Sequence, residues 1–163
     1  HAKSSWKDMT LLDIDRPLNK RGKKDAPEMG RRLAAQEILP EMIVSSPARR
    51  ARKTADQLAK ALGLFKKNII IYEEIYGASV DELLTIIHSI DDNVAAVIIV
   101  GHNPEMTVMA NILGGLDIDN VPTCGVVAYD FTVSSWRQIK KGKGALVFFD
   151  YPRKKELTDR PDT

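Results

Sequence analysis

The strongest constraint on the fold is an unbroken run of seven apolar residues, 94–100, in a chain of which 28% is charged. Val and Ile dominate the run, and these β-branched residues favour strands. The run therefore predicts a strand buried on both faces, as a central strand of a parallel sheet is. It is far too short to cross a bilayer as a helix.

Helical patterns alternate with shorter apolar runs along the rest of the chain. The predicted helices are residues 19–39, 48–62, 80–90 and 104–114. The predicted strands are residues 41–45, 68–72, 94–100, 125–133 and 144–149. We expect the last two strands to form a hairpin. This alternation is typical of the α/β class, and it predicts a three-layer α/β/α sandwich with a mostly parallel central sheet.

Residues that favour helix ends mark several of these boundaries. Asn19 is a possible N-cap of the first helix, and Pro27 predicts either a kink or a later start near Asp25. Ser79 and Glu82 form the pattern of a capping box, and Gly63 suits the position just after a helix.

Composition indicates one globular domain over residues 1–163. The formal net charge is +2, from 24 basic and 22 acidic side chains, so the overall charge favours no particular partner. A single cysteine, Cys124, excludes an internal disulfide and fits the reducing cytoplasm; we expect it to be a small buried residue. We predict no membrane partner, and we expect the charged tail after Pro152 to fray.

Basic runs raise the alternative of a non-catalytic module that binds phosphate groups or nucleic acid. These runs read RRARK, KKGKG and PRKK. Aromatic residues make up only 6% of the chain, and no platform for stacking bases is visible. We therefore interpret the runs mainly as solvated loops and predict no nucleic-acid partner.

Polar residues follow two of the predicted strands, at the edge of the sheet where ligands of α/β proteins collect. Ser45, Ser46 and Pro47 end one strand, and three arginines open the next helix. Cations are disfavoured there because the helix N-terminus is already positive. The arginines are either solvated and harmless, or they form an anion site together with the free backbone N–H groups.

The second cluster, Gly101 to Pro104, brings His102 to the end of the strand at 94–100. Only two other histidines exist, His1 and His88, and we interpret His88 as a surface or flanking residue. The three lack the spacing of metal ligands, so we predict no metal site and no cofactor.

Four segments, HAKSSW, RPLNKRG, SSPARRARKTA and VGHNPEM, together resemble the histidine phosphatase superfamily. They are most similar to its small SixA-type phosphohistidine phosphatases. The resemblance runs from His1 to at least Ile112 and implies a phosphoglycerate mutase-like fold. It also implies an arginine and a first strand upstream of His1.

The resemblance assigns roles residue by residue. His1 takes the position of the nucleophile, Arg50 that of the phosphate-binding arginine, and His102 that of a second phosphate-binding histidine of the pocket. Arg16 matches an arginine often found near the pocket, and we treat it as a further phosphate-binding candidate. Relatives that act on sugar phosphates use a carboxylate after the third strand as general acid, which makes Glu74 the candidate here.

The function implied is a metal-independent phosphatase that dephosphorylates phosphohistidine on a protein through a phospho-His1 intermediate, as in signal transduction. The expected partners are a phosphorylated protein and a phosphate-like anion. The interval from Glu74 to His102 is filled by one helix, one strand and short turns, which leaves no room for a long lid. The alternatives are a broad-specificity phosphomonoesterase or a phosphoglycerate mutase-like enzyme of the same fold.

Overall fold

The computed structural model describes residues 1–154, so most of the tail predicted to fray lies outside the described residues. The helices are α1 (Lys20–Ala35), α2 (Arg49–Ala61), α3 (Val80–His88) and α4 (Glu105–Gly114). The strands are β1 (Met42–Ser45), β2 (Ile69–Ile71), β3 (Val97–Val100), β4 (Val126–Asp130) and β5 (Ala145–Asp150). Four single-turn 3-10 helices cover Asp13–Asp15, Lys66–Asn68, Glu73–Ile75 and Trp136–Gln138.

The parallel sheet has the order β2-β1-β3, and its two faces carry separate hydrophobic cores. Ile43 of β1 packs with Leu33 of α1 and with the alanine-rich face of α2. Its neighbour Val44 points to the opposite face, against Leu83 of α3 and Met109 of α4. Because successive strand residues face opposite sides, consecutive apolar residues of β1 can serve both cores. The predicted three-layer α/β/α sandwich is confirmed.

Strands β4 and β5 pair as the predicted antiparallel hairpin, with Val127 opposite Phe149. The prediction that residues 94–100 form a central strand is wrong for the described sheet, in which β1 is central and β3 is shorter. Within residues 1–154, β3 pairs with β1 on one side. Its other side faces a cavity of about 720 Å³ between β3 and the hairpin, lined largely by apolar residues. The strand and arginine expected before His1 stay predictions.

The predicted N-cap of α1 is confirmed, because the Asn19 side chain accepts a hydrogen bond from the backbone N–H of Gly22 at 2.8 Å. The helix begins at Lys20 and continues through Pro27, so the later start near Asp25 is wrong. It ends at Ala35, earlier than predicted. Glu37 adopts a positive φ of 56° there, which turns the chain out of the helix before Ile38.

The other predicted helix boundaries agree with the structure. Ser79 and Glu82 exchange the hydrogen bonds of a capping box at the start of α3. Gly63, two residues after α2, has a φ of 72°, in the left-handed region that glycine adopts at little cost.

Residues 2–4 are fixed against α1 and α2, and this fixes the position of His1. The backbone N–H of Ala2 donates to Thr54 Oγ1 of α2 at 2.9 Å, and the Lys3 carbonyl accepts from the Asn19 N–H at 3.0 Å. Gly22 of α1 allows the close approach, since a Cβ atom there would lie 2.2 Å from the Lys3 oxygen. Among the described residues, no helix has the length and apolar character that a membrane span requires.

Candidate active site

His1 lies half-buried beside the C-terminal end of β3, between that strand and α2. Its backbone nitrogen donates to the Gly101 carbonyl at 3.3 Å, and its carbonyl accepts from the Cys124 N–H at 2.9 Å. Thr54, which holds the next residue, also donates its hydroxyl to the Arg50 carbonyl at 2.8 Å. The backbone of His1 is therefore fixed from the strand and from the helix.

Two contacts define the protonation of the His1 ring. Nδ1 lies 2.7 Å from the Ala2 carbonyl oxygen, which can only accept, so Nδ1 carries the proton. Nε2 lies 3.2 Å from Arg50 Nε, which can only donate, so Nε2 presents a lone pair. The side chain is therefore held as the neutral tautomer with an unprotonated Nε2.

Arg50, in the first turn of α2, is 6% exposed, and each of its guanidinium nitrogens has a partner. Nε donates to His1 Nε2, and Nη1 donates to the Asp13 backbone carbonyl at 2.6 Å. Nη2 donates to Asp13 Oδ2 at 2.9 Å and lies 3.5 Å from His102 Nδ1. One buried cation thus joins all the residues of the cluster.

The three arginines at the start of α2 have different surroundings. Arg49 and Arg52 are exposed, whereas Arg50 is buried between His1 and His102. The interpretation of Arg49 and Arg52 as solvated charges therefore holds. Arg50 is a charged donor directed into the pocket, beside the positive end of the helix dipole.

His102 follows β3 by two residues, and its ring lies 4.9 Å from the His1 ring, centroid to centroid. Its Nε2 is 2.7 Å from Ser46 Oγ, and that hydroxyl also accepts from the Ala48 N–H at 3.2 Å. The next residue, Asn103, caps α4 by accepting from the N–H and the hydroxyl of Thr107. The two polar strand ends predicted to meet do meet here.

Burial, and after it the positive charge of Arg50, lower the pKa of His102 from 6.5 to about 4. The contact with Arg50 agrees with a neutral ring, because Nδ1 of His102 faces a guanidinium that can only donate and must therefore be unprotonated. His102 is therefore neutral at pH 7 in the anion-free protein. A bound anion would raise its pKa, since an opposite charge favours the imidazolium.

Asp13 is the member of the cluster that sequence reasoning missed. Beside its bonds to Arg50, its carboxylate accepts from Arg16 Nη1 at 2.8 Å and from the Tyr76 hydroxyl at 2.7 Å. Tyr76 and then Arg50 hold its pKa below the ordinary value. Tyr76 also packs edge-on against the His102 ring, with centroids 5.6 Å apart.

The two less central candidates do not contact the histidines. Arg16 is buried and reaches Arg50 only through Asp13; its Nε donates to the Ser5 carbonyl at 3.1 Å. Its guanidinium lies over the Trp6 ring, 3.3 Å from the centroid. Glu74 is exposed on its 3-10 turn, and the hydrogen bonds of the described residues join it to none of His1, Arg50 and His102.

The remaining candidates have structural surroundings. His88 lies at the end of α3 with its Nε2 2.9 Å from the Ile139 carbonyl oxygen. Cys124 is buried, as predicted, and burial raises the pKa of its thiol to about 11. Residues 1–154 contain no group of three or more His, Cys, Asp or Glu side chains that could hold a metal ion.

The family model of the histidine phosphatase superfamily (branch 1) matches residues 1–82, which include the segments of His1, Arg16 and Arg50. The chain belongs to the histidine phosphatase superfamily. The resemblance seen in the sequence is thereby confirmed.

Individual relatives agree with this membership. An uncharacterized chloroplastic protein of Arabidopsis thaliana is 31% identical over 146 residues, which cover 85% of this chain and 66% of the plant protein. An uncharacterized protein of Mycobacterium tuberculosis is 29% identical over 163 residues, covering 94% of this chain and 99% of its own. A crystal structure of SixA from Agrobacterium tumefaciens, a candidate phosphohistidine phosphatase, matches with a TM-score of 0.79 and 28% identity over 93% of this chain and 94% of its own.

The lowered pKa of His102 predicts how stability of this superfamily member depends on pH. Between pH 6.5 and about 4, the unfolded chain binds a proton at this side chain and the folded chain does not. The contribution of His102 to the free energy of unfolding is therefore complete above pH 6.5. It decreases as the pH is lowered from 6.5 to about 4. Protonation of Asp13 also lowers the free energy of unfolding, but only at lower pH, as the pH falls below 3.8, the ordinary pKa of an aspartate.

Urea unfolding of the wild type and of His102→Asn at pH 7 and pH 5 measures this effect. We expect the variant to lose less stability between the two pH values than the wild type does. His88→Asn is the matched control and should keep the wild-type difference. Equal pH dependence in the wild type and His102→Asn would contradict the assignment.

Proposed function

We propose that this protein is a phosphatase that removes the phosphoryl group from phosphohistidine on another protein by way of a phospho-His1 intermediate. The observation that carries the proposal is the unprotonated Nε2 of His1, which lies 3.2 Å from the buried guanidinium of Arg50. A nucleophile with a free lone pair beside a fixed cation is what phosphoryl transfer requires. The likeness to SixA of Agrobacterium tumefaciens supports the same activity.

The reaction would proceed in two displacements. In the first, the Nε2 lone pair forms a bond to phosphorus while the bond from phosphorus to the substrate nitrogen breaks, and the electron pair leaves with the substrate imidazole. In the second, the oxygen of water forms a bond to phosphorus, the bond from phosphorus to Nε2 breaks with its electron pair returning to Nε2, and inorganic phosphate departs with the protons of the water, which it shares with solvent. Nδ1 keeps its proton throughout and donates it to the Ala2 carbonyl oxygen, so His1 needs no separate base.

Charge on the transferred phosphoryl oxygens would be met by Arg50 and His102. The guanidinium offers two N–H groups in a plane that matches two phosphoryl oxygens. His102 becomes protonated once the anion raises its pKa, and it then adds a second charged donor. Because these cations are supplied by side chains, we propose that the chemistry needs no metal ion.

The general acid stays a proposal. Glu74 retains that role only if it moves toward the pocket, since it is exposed on its turn in the structure. A phosphohistidine substrate makes a weaker demand for an acid than a phosphate ester does, because imidazole leaves more readily than an alkoxide.

The surroundings of the pocket support a protein substrate. Trp6, Met9 and Leu12 precede Asp13 in the chain and are 64%, 83% and 71% exposed. Exposed apolar side chains grouped beside a site indicate contact with another protein. Between Glu74 and His102 the chain forms only α3, β3 and turns, as predicted, so this interval contributes no long lid over the pocket.

Replacement of His1 tests the proposed nucleophile. We expect His1→Ala to abolish turnover of a phosphohistidine protein and to form no acid-labile phosphoenzyme, because the variant lacks the Nε2 atom that receives the phosphoryl group in the proposed mechanism. Initial rates and phosphoenzyme labelling measure both effects. His88→Ala should behave like the wild type. Wild-type turnover in His1→Ala would refute the mechanism.

The apolar surface beside the pocket gives a test of substrate class. Replacing Met9 and Leu12 together by serine should lower kcat/KM for a phosphohistidine protein about fivefold, as loss of a moderate interface contact does. The kcat/KM for p-nitrophenyl phosphate should not change, because a small substrate does not reach this surface.

The matched control is Phe65→Ser, since Phe65 is as exposed as Leu12 but lies at the other end of α2. It should leave both activities unchanged. Equal loss on both substrates in the Met9/Leu12 variant would argue against a protein substrate. A tenfold or greater preference for phosphoglycerate over the phosphohistidine protein would favour the alternative of a small-molecule enzyme.

A further inference from the structure

The guanidinium of Arg50 has its donors engaged before any phosphoryl group arrives. Nη1 and Nη2 both donate to Asp13, one to its backbone carbonyl and the other to its carboxylate, while Nε donates to His1. With the contact of Nη2 to His102, four of the five N–H groups of the guanidinium have an acceptor, so a phosphoryl group that binds through two of them must displace at least one acceptor. The nearest of them with a negative charge is the carboxylate of Asp13.

The carboxylate of Asp13 is held much as a bound anion would be. Arg50 and Arg16 contact its two oxygens at 2.9 and 2.8 Å, and the Tyr76 hydroxyl donates to the oxygen that faces Arg50. The side chain of Asp13 is nevertheless 47% exposed. A carboxylate so open to water is held weakly enough to be displaced.

The same contacts restrain the proposed nucleophile. While Asp13 binds both terminal nitrogens of Arg50, the Nε–H remains directed at the lone pair of His1 Nε2. That lone pair must be free to attack phosphorus. Rotation of the guanidinium toward an incoming phosphoryl group would break the hydrogen bond from Arg50 Nε to His1 Nε2 and leave the lone pair of Nε2 free.

We propose that Asp13 is an internal competitor for the phosphoryl site, a carboxylate that occupies Arg50 in the free protein and exchanges with the phosphoryl group of the substrate. This inference rests on the proposed function and adds a specificity-determining residue to it. Anions that bind Arg50 no better than a carboxylate are excluded, whereas a phosphoryl dianion displaces Asp13. Tyr76, 37% exposed, stabilises the occupied state through its hydroxyl.

Direct binding of tungstate, a phosphate analogue, tests the exchange without relying on turnover. Affinity would be measured by titration calorimetry at one pH and one salt concentration for the wild type, Asp13→Asn, Tyr76→Phe and Asp15→Asn. If the carboxylate occupies Arg50 in about nine molecules of ten, its loss tightens tungstate binding about tenfold. Tyr76→Phe should tighten it by a smaller factor, and Asp15→Asn, on the same exposed turn, should not change it.

The direction of the effect separates competition from a merely structural role. If Asp13 only held Arg50 in place, Asp13→Asn would bind tungstate more weakly, and that result, or an unchanged affinity, would overturn the inference. Thermal unfolding reports whether Asp13→Asn is folded. If it is not, the tungstate affinity of Tyr76→Phe decides: tighter binding than in the wild type supports the inference, and weaker or unchanged binding overturns it. Failure of the wild type to bind tungstate at all would instead contradict the proposed function, and the inference with it.

Discussion

The burial of one positive charge, that of Arg50, determines the arrangement of the whole pocket. A guanidinium that is 6% exposed must have acceptors, since an unpaired buried charge is costly. The acceptors come from three separate parts of the chain: the backbone and side chain of Asp13, the ring of His1 and the ring of His102. These residues are brought together because β1 and β3 end, and α2 begins, at one edge of the sheet.

The same charge sets the protonation of both rings. His1 and His102 each present an unprotonated nitrogen to Arg50, and each directs its other nitrogen to an oxygen, the Ala2 carbonyl or the Ser46 hydroxyl. Arg50 is therefore the positively charged side chain that contacts both rings. Binding of an anion adds charge at His102, so the electrostatic field strengthens in response to the ligand.

Periodic patterns in the sequence were sufficient to predict the layers of the fold. The apolar side chains of α2 recur with the period of a helix and predict one buried face, whereas the unbroken apolar run at β3 predicts burial on both faces of a strand. The run at β3 did not predict the position of that strand in the sheet, because burial on both faces does not specify neighbours. Among the three arginines of α2, only the resemblance to a family distinguished Arg50, since charge and helix position are nearly the same for Arg52.

The site residues that were missed or misplaced lie outside periodic elements. Asp13 lies on a 3-10 turn and Tyr76 directly follows another, and in such short segments no repeat indicates which way a side chain points. Glu74 was chosen by its place after a strand, yet its neighbour Tyr76 is the residue of that segment that reaches the pocket. The role of Glu74 as general acid stays a prediction.

The central claim is that Nε2 of His1 is the atom that receives the phosphoryl group, because the Ala2 carbonyl reserves Nδ1 for a proton. Phosphorus NMR of the phosphoenzyme, formed from a phosphohistidine protein and trapped before hydrolysis, distinguishes phosphorylation at the two ring nitrogens. The account predicts a single phosphohistidine at His1, bonded through Nε2. A phosphoryl group on Nδ1 of His1, or on His102 or His88, would contradict it.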